Sequence, residues 1–72
     1  MFKLLGPLSK KIRQIDRGYS IVLKNRTIFQ FKEFSMEATS IQLYNDRMIM
    51  LSNETIKIVP KDQWDGVKFF TL

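Results

Sequence analysis

The sequence predicts a mainly β domain, in which a short N-terminal helix leads into a five- to six-stranded antiparallel meander or small barrel. Three observations carry that reading. From Tyr19 onward, β-branched and aromatic residues are dense and largely alternate with polar ones, at the two-residue period of a half-buried strand. Groups of turn formers, Asn25 with Arg26, Asn45 with Asp46, Ser52 with Asn53 and Glu54, and Asp65 with Gly66, interrupt the pattern at short intervals. A chain of 72 residues is long enough for one thin core and too short for two, so residues 1–72 are expected to form a single domain.

The helix is expected first. Gly6 and Pro7 supply a start signal, and Leu8, Ile12 and Ile15 recur at the spacing of one helical stripe. Lys10, Lys11, Arg13, Gln14 and Arg17 fall elsewhere on that cylinder, and Gly18 is placed to end it. About ten residues are marginal for an isolated helix, so this one needs its stripe packed on something. Residues 19–24 and 27–32 then read as a hairpin turning at Asn25 and Arg26, with Thr27, Phe29 and Phe31 on the inward face. Residues 33–39 mix helix and strand signals and read as irregular or as a bulged continuation.

Residues 40–44, 47–51 and 55–59 read as a three-stranded meander. Ile41 and Leu43 alternate with Gln42 and Tyr44, and Ile56 and Ile58 with Thr55 and Lys57, as half-buried strands do. Met48, Ile49, Met50 and Leu51 are apolar on both faces, which suits a central strand of a closed barrel or one partly exposed at an interface. Pro60 lacks a ladder donor and stops the fifth strand. The tail after Trp64 is apolar from Val67 to Leu72 and is open to three roles: a sixth strand, a hydrophobic flap or a self-association element.

Composition excludes more chemistry than it suggests. With neither histidine nor cysteine, the chain lacks the commonest general base, the commonest transition-metal ligand and the thiol nucleophile, so no catalytic residue, metal or cofactor is expected. Asp62 and Asp65 flank Trp64 but lack the ligand density of a calcium loop, and they read as turn residues. Gly6, Gly18 and Gly66 are isolated and form no phosphate cradle. No apolar run approaches the roughly 20 residues of a membrane span, and the absence of thiols fits a reducing compartment; a soluble cytoplasmic protein is expected.

Charge points to a binding function. Residues 1–36 hold eight cations against Asp16 and Glu33, whereas residues 37–72 hold four against five carboxylates, within a net charge of +5. Lysine and arginine interleaved with aromatics is the pattern that grips single-stranded nucleic acid: cations track phosphates while bases stack on rings. The candidate contacts are Lys10, Lys11, Arg13, Arg17, Lys24, Arg26, Lys32 and Arg47, with Tyr19, Tyr44 and Trp64 as platforms. Against this stands the ordinary role of each: solvated surface cations, and aromatics that fill a small core.

Residues 8–60 also carry a family resemblance. Residues 19–25 look like the first strand and turn of the Sm-like small β-barrels, which include bacterial RNA chaperones. Phe34, Ser35 and Met36, with Ile41, Gln42 and Leu43, look like the second and third strands; Thr55 to Pro60 is similar to the closing strand. Arg26 stands at the usual turn glycine, Ser35 at the usual acidic position, and no glycine lies in the bent strand. SH3-like barrels satisfy the same pattern. The resemblance implies a small barrel that binds RNA.

The expected function is therefore non-enzymatic binding of RNA or single-stranded DNA through the basic N-terminal half. The alternative is a protein-interaction module, such as a small phage-type inhibitor or accessory subunit, docking an acidic partner surface. Its motivation is the apolar strand at residues 48–51 and the aromatic tail. Self-association into a homo-oligomer would offset the shortage of core, since no disulfide or metal is available to do so. Attachment of the first 17 residues to an anionic membrane surface, through Phe2, Leu4, Leu5 and Leu8, is a third reading.

Overall fold

The N-terminal segment expected to be helical is mostly strand. The computed structural model describes residues 5–72, and its only α-helical residues among these are the single turn α1 (Leu5–Leu8). The Ser9 hydroxyl donates to the Gly6 carbonyl at 2.8 Å, which closes the turn as the chain leaves it. From there β1 (Ser9–Ile15) pairs antiparallel with β2 (Gly18–Gln30), from Ser9 opposite Leu23 to Ile15 opposite Gly18, with a bulge between Ser9 and Lys11. The stripe formed by Leu8, Ile12 and Ile15 supports a helix on spacing alone. A ten-residue helix gains little in isolation, however, and β-branched Ile12 and Ile15 lose nothing in a strand that acquires a full ladder. Gly18 accordingly opens β2 instead of capping a helix. Phe2 and Leu4, invoked for membrane attachment, lie outside the described residues, and the basic positions that would accompany them belong to a strand.

Nor does the chain reverse at Asn25 and Arg26. It bends there, and β2 runs on through to Gln30. β3 (Ser35–Tyr44) follows the whole of β2, pairing at Gly18 to Val22 and again at Thr27 to Gln30, with the register shifting between the two stretches. The Thr27 hydroxyl donates to the Asn25 carbonyl at 3.1 Å within the bend. The reversal comes later, where the Phe31 N–H donates to the Phe34 carbonyl at 2.8 Å. Residues 35–39, expected to be irregular or a bulged continuation, are therefore regular strand. The segments around Met36 and Ile41, expected to be two strands, are two halves of one.

The meander forms where the sequence places it. β4 (Arg47–Leu51) pairs with β3 and β5 (Ile56–Pro60) pairs with β4, both antiparallel. Pro60 is the last residue of β5, and a 3-10 turn at Lys61–Gln63 follows. The tail takes the sixth-strand role: β6 (Lys68–Thr71) pairs with Thr27 to Gln30 of β2, beyond the stretch that β1 covers. The result is one curved, six-stranded, all-antiparallel sheet in the order β1-β2-β3-β4-β5 with β6 on β2, and it is not closed. β1 and β5 end the main strand order, and β6, which pairs with β2 alone, leaves a third, shorter edge open.

The concave face holds the core. Ile21, Leu23, Phe29, Phe31, Ala38, Ile41, Met48, Met50, Val59 and Trp64 are buried there. The Phe69 ring meets Phe29 edge-on at a centroid distance of 5.0 Å, tying β6 to the bend. Trp64 lies within this core, its indole N–H donating to the Val59 carbonyl at 3.1 Å. That position removes it from the stacking platforms: the ring is spent on packing. β5 runs out of phase with its expected burial, because Val59, opposite Met48, faces inward and turns Ile56 and Ile58 outward.

Candidate nucleic-acid interface

Cross-strand partners share a face, so the register fixes which side chains cover the convex surface. The row runs from Lys11 and Arg13 on β1, over Val22 and Ser20 on β2 and Ser40 and Gln42 on β3, to Leu51 and Ile49 on β4 and Ile56 and Ile58 on β5. The outer surface is thus graded, cationic at one edge and aliphatic at the other.

The cationic edge leads into an unusual corner. A two-residue loop, Asp16 and Arg17, joins β1 to β2, and Arg17 has φ 64°, in the left-handed region that is costly for a residue with a Cβ. The next residue must be glycine for steric reasons. A Cβ on Gly18 would stand 2.8 Å from Cδ1 of Tyr44 and closer still to the Leu43 carbonyl oxygen. Tyr44 therefore lies directly against the β2 backbone, with its hydroxyl 3.2 Å from Gln42 Oε1. The Arg47 guanidinium lies over the Tyr44 ring, 4.3 Å from its centroid, and bonds Asp46 at 2.9 Å.

Beside this stack opens a cleft of about 420 Å³, lined by Gln14, Arg17, Tyr19, Leu43 and Tyr44 among others. Tyr19 sits on the inward row with Ile21, but at the end of the sheet where the core stops, and the residue is 48% exposed. It is the better stacking platform of the two tyrosines, since one face of Tyr44 is already taken by Arg47. The guanidinium plane of Arg47 can extend the stack in its place. A second, more polar cleft shares Arg17 and Tyr44 but adds Asp16 and Asp46, so the positive field is weakest on that side.

The remaining cations divide. Lys10, Lys11 and Arg13 are exposed along β1, leading to Arg17. Lys24 and Arg26 lie at the bend of β2, with Arg26 3.8 Å from Glu37. Lys32 lies past the end of β2 and bonds Asp65 at 3.1 Å. Among the described residues the ion pairs are those of Arg26, Lys32 and Arg47, and none engages Lys10, Lys11, Arg13, Arg17 or Lys24. The cationic surface expected over residues 10–32 is therefore shorter in fact: β1 and its turn form a line, while Arg26 and Lys32 are partly neutralised by carboxylates from later segments. Gln14 and Asn45 complete the cleft. Asn45 reads in the sequence only as a turn former, and Gln14 only as a helix position, because neither signal shows which strands the turns bring together.

Among the described residues no cluster of ligating side chains could hold a metal ion, and no helix is long and apolar enough to cross a membrane. No protein-family model, curated protein or solved structure matches this sequence.

Proposed function

We propose that this protein binds single-stranded nucleic acid, RNA or DNA, with little sequence readout, along β1 and into the Tyr19 cleft. One observation carries the reading: a half-exposed tyrosine and an arginine in left-handed backbone share a cleft at the end of a line of three unpaired cations. Phosphates would follow Lys11 and Arg13 on the convex face to Arg17, and the strand would pass round the β1–β2 turn there, so that a base enters the cleft and stacks on Tyr19 on the inward row. A backbone outlier retained beside such a cleft supports a functional role for Arg17, since glycine would satisfy the turn at lower cost. The Sm-like or SH3-like resemblance belongs to the same reading, supported by the small, curved, all-antiparallel sheet.

A second reading, an acidic protein partner, is favoured by the free backbone edge of β1, along which an extended acidic peptide could add as a further strand. Fluorescence anisotropy with labelled oligo-U and oligo-dT separates the two. Three phosphate contacts on a single strand predict an affinity loss of about 20-fold between 50 and 200 mM salt. Absent binding to both oligomers, or binding indifferent to salt, contradicts the nucleic-acid reading and leaves the peptide-binding one.

A further inference from the structure

We infer that the β5 edge is a self-pairing surface, and that two copies of this chain associate through it about a twofold axis. The inference is independent of the nucleic-acid reading. Ile56 and Ile58 are the most exposed large apolar residues of the described chain, at 71% and 61%, and both stand on the free edge strand. On the convex face they adjoin Leu51 and Ile49, their cross-strand partners on β4, which are only partly covered. An aliphatic patch of this kind, continuous with an open strand edge, marks an interaction surface.

The backbone at this edge is available for the same purpose. The Lys61 N–H donates to the Asp46 carbonyl at 3.0 Å, extending the β4–β5 ladder by one step. Because N–H and C=O groups alternate in direction along a strand, residues 57 and 59 also face β4, and Ile56, Ile58 and Pro60 turn theirs to the free side. The two outward isoleucines thus carry the outward hydrogen-bonding groups.

The strand is complementary to itself in one register. With antiparallel copies centred on Ile58, each Ile58 exchanges both bonds with its counterpart, and each Ile56 N–H donates to the opposing Pro60 carbonyl, giving about four backbone bonds. Pro60 has no N–H to leave unpaired there. Lys57 then lies opposite Val59, whereas a register centred on residue 57 would set two lysines against each other. Lys57 is already drawn over the Phe34 ring, 4.6 Å from its centroid.

Charge selects a second copy at this edge and rejects it at the other. β1 bears Lys10, Lys11 and Arg13, so two β1 strands repel, while residues 37–72 are nearly neutral and keep the cationic edge at the far side of the sheet. The two patches join across the axis into one aliphatic band with Ile58 at its centre. A standard interface takes about 800 Å² from each partner, about one sixth of the 5064 Å² this chain exposes. A five-residue edge, with Ile56 and Ile58 on it and the partly covered Ile49 and Leu51 beside it, offers less than that, which predicts a weak, concentration-dependent dimer.

Sedimentation velocity of the full chain from 5 to 500 µM, without nucleic acid, tests this. The expected result is a monomer–dimer equilibrium with no larger species. Ile58→Pro should weaken it at least 30-fold, because proline removes the outward N–H while leaving the β4 ladder whole. Ile58→Lys should do the same by charge, and it serves if far-UV circular dichroism shows the proline variant unfolded. A chain that stays monomeric at 500 µM overturns the inference. So do variants that dimerise as wild type, or trimers and larger rings, which would mean head-to-tail pairing of β5 with another copy's β1.

Discussion

β1 and β5 each hydrogen-bond to a single neighbour, and they lie four positions apart in the same sheet, yet their side chains differ as much as two strands can. β1 carries Lys10, Lys11 and Arg13, charges that keep an open edge from pairing with its own kind while attracting an anion. β5 turns Ile56 and Ile58 to solvent with only Lys57 and Pro60 to blunt it. The difference teaches that a free edge is not one kind of surface. Its partner is set by whether the outward row repels a copy of itself.

Charge reversal at β1 should break this contrast most severely. Lys11→Glu with Arg13→Glu removes two phosphate contacts and adds repulsion. Anisotropy at low salt should show affinity for a short oligonucleotide falling about 100-fold, and the log–log salt slope shrinking by about 1.4. Ile58→Lys, on the opposite edge, should leave that affinity within about twofold. If the two substitutions weaken binding alike, the edges do not have separate tasks.

A smaller effect sharpens the comparison at the corner that β1 leads into. Gly18→Ala forces a methyl against the Leu43 carbonyl and the Tyr44 ring, and chemical denaturation should show a loss of about 1–3 kcal/mol. Oligonucleotide affinity should fall with it, since Tyr44 lines the cleft beside Tyr19. Self-association through β5 should persist in the fraction that remains folded.

How much of this was legible in the sequence follows from the range of each signal. The meander was, because Asn45 with Asp46 and Ser52 to Glu54 sit between short alternating runs, and alternation is a local property. Phe29 and Phe31 were correctly placed inward for the same reason. The helix expected over β1 failed although Leu8, Ile12 and Ile15 satisfy a helical spacing: in the strand Ile12 and Ile15 fall on opposite faces, and it is pairing with β2, a long-range event, that decides the outcome. Asn25 and Arg26 read in the sequence as a reversal, since turn formers do not say whether a strand stops or curves. The phase of β5 was invisible because Ile56, Ile58 and Val59 are all apolar, so burial of Val59 against Met48 is a tertiary choice.

The candidate site shows the same division. Its cations and tyrosines could be named from composition, whereas their grouping could not. Arg17, Tyr19, Tyr44 and Arg47 meet because the β1–β2 and β3–β4 turns fall at one end of the sheet. Lys32 and Arg26 drop out of the line because Asp65 and Glu37 approach them from distant segments.

The most direct test is to map the amide shifts of the ¹⁵N-labelled chain by NMR during titration with a short oligo-U. Perturbations gathered at residues 10–19 and 43–47, with residues 56–60 unmoved, are what a nucleic-acid surface along β1 and the Tyr19 cleft predicts. Shifts centred on β5, or spread evenly over the sheet, would contradict it.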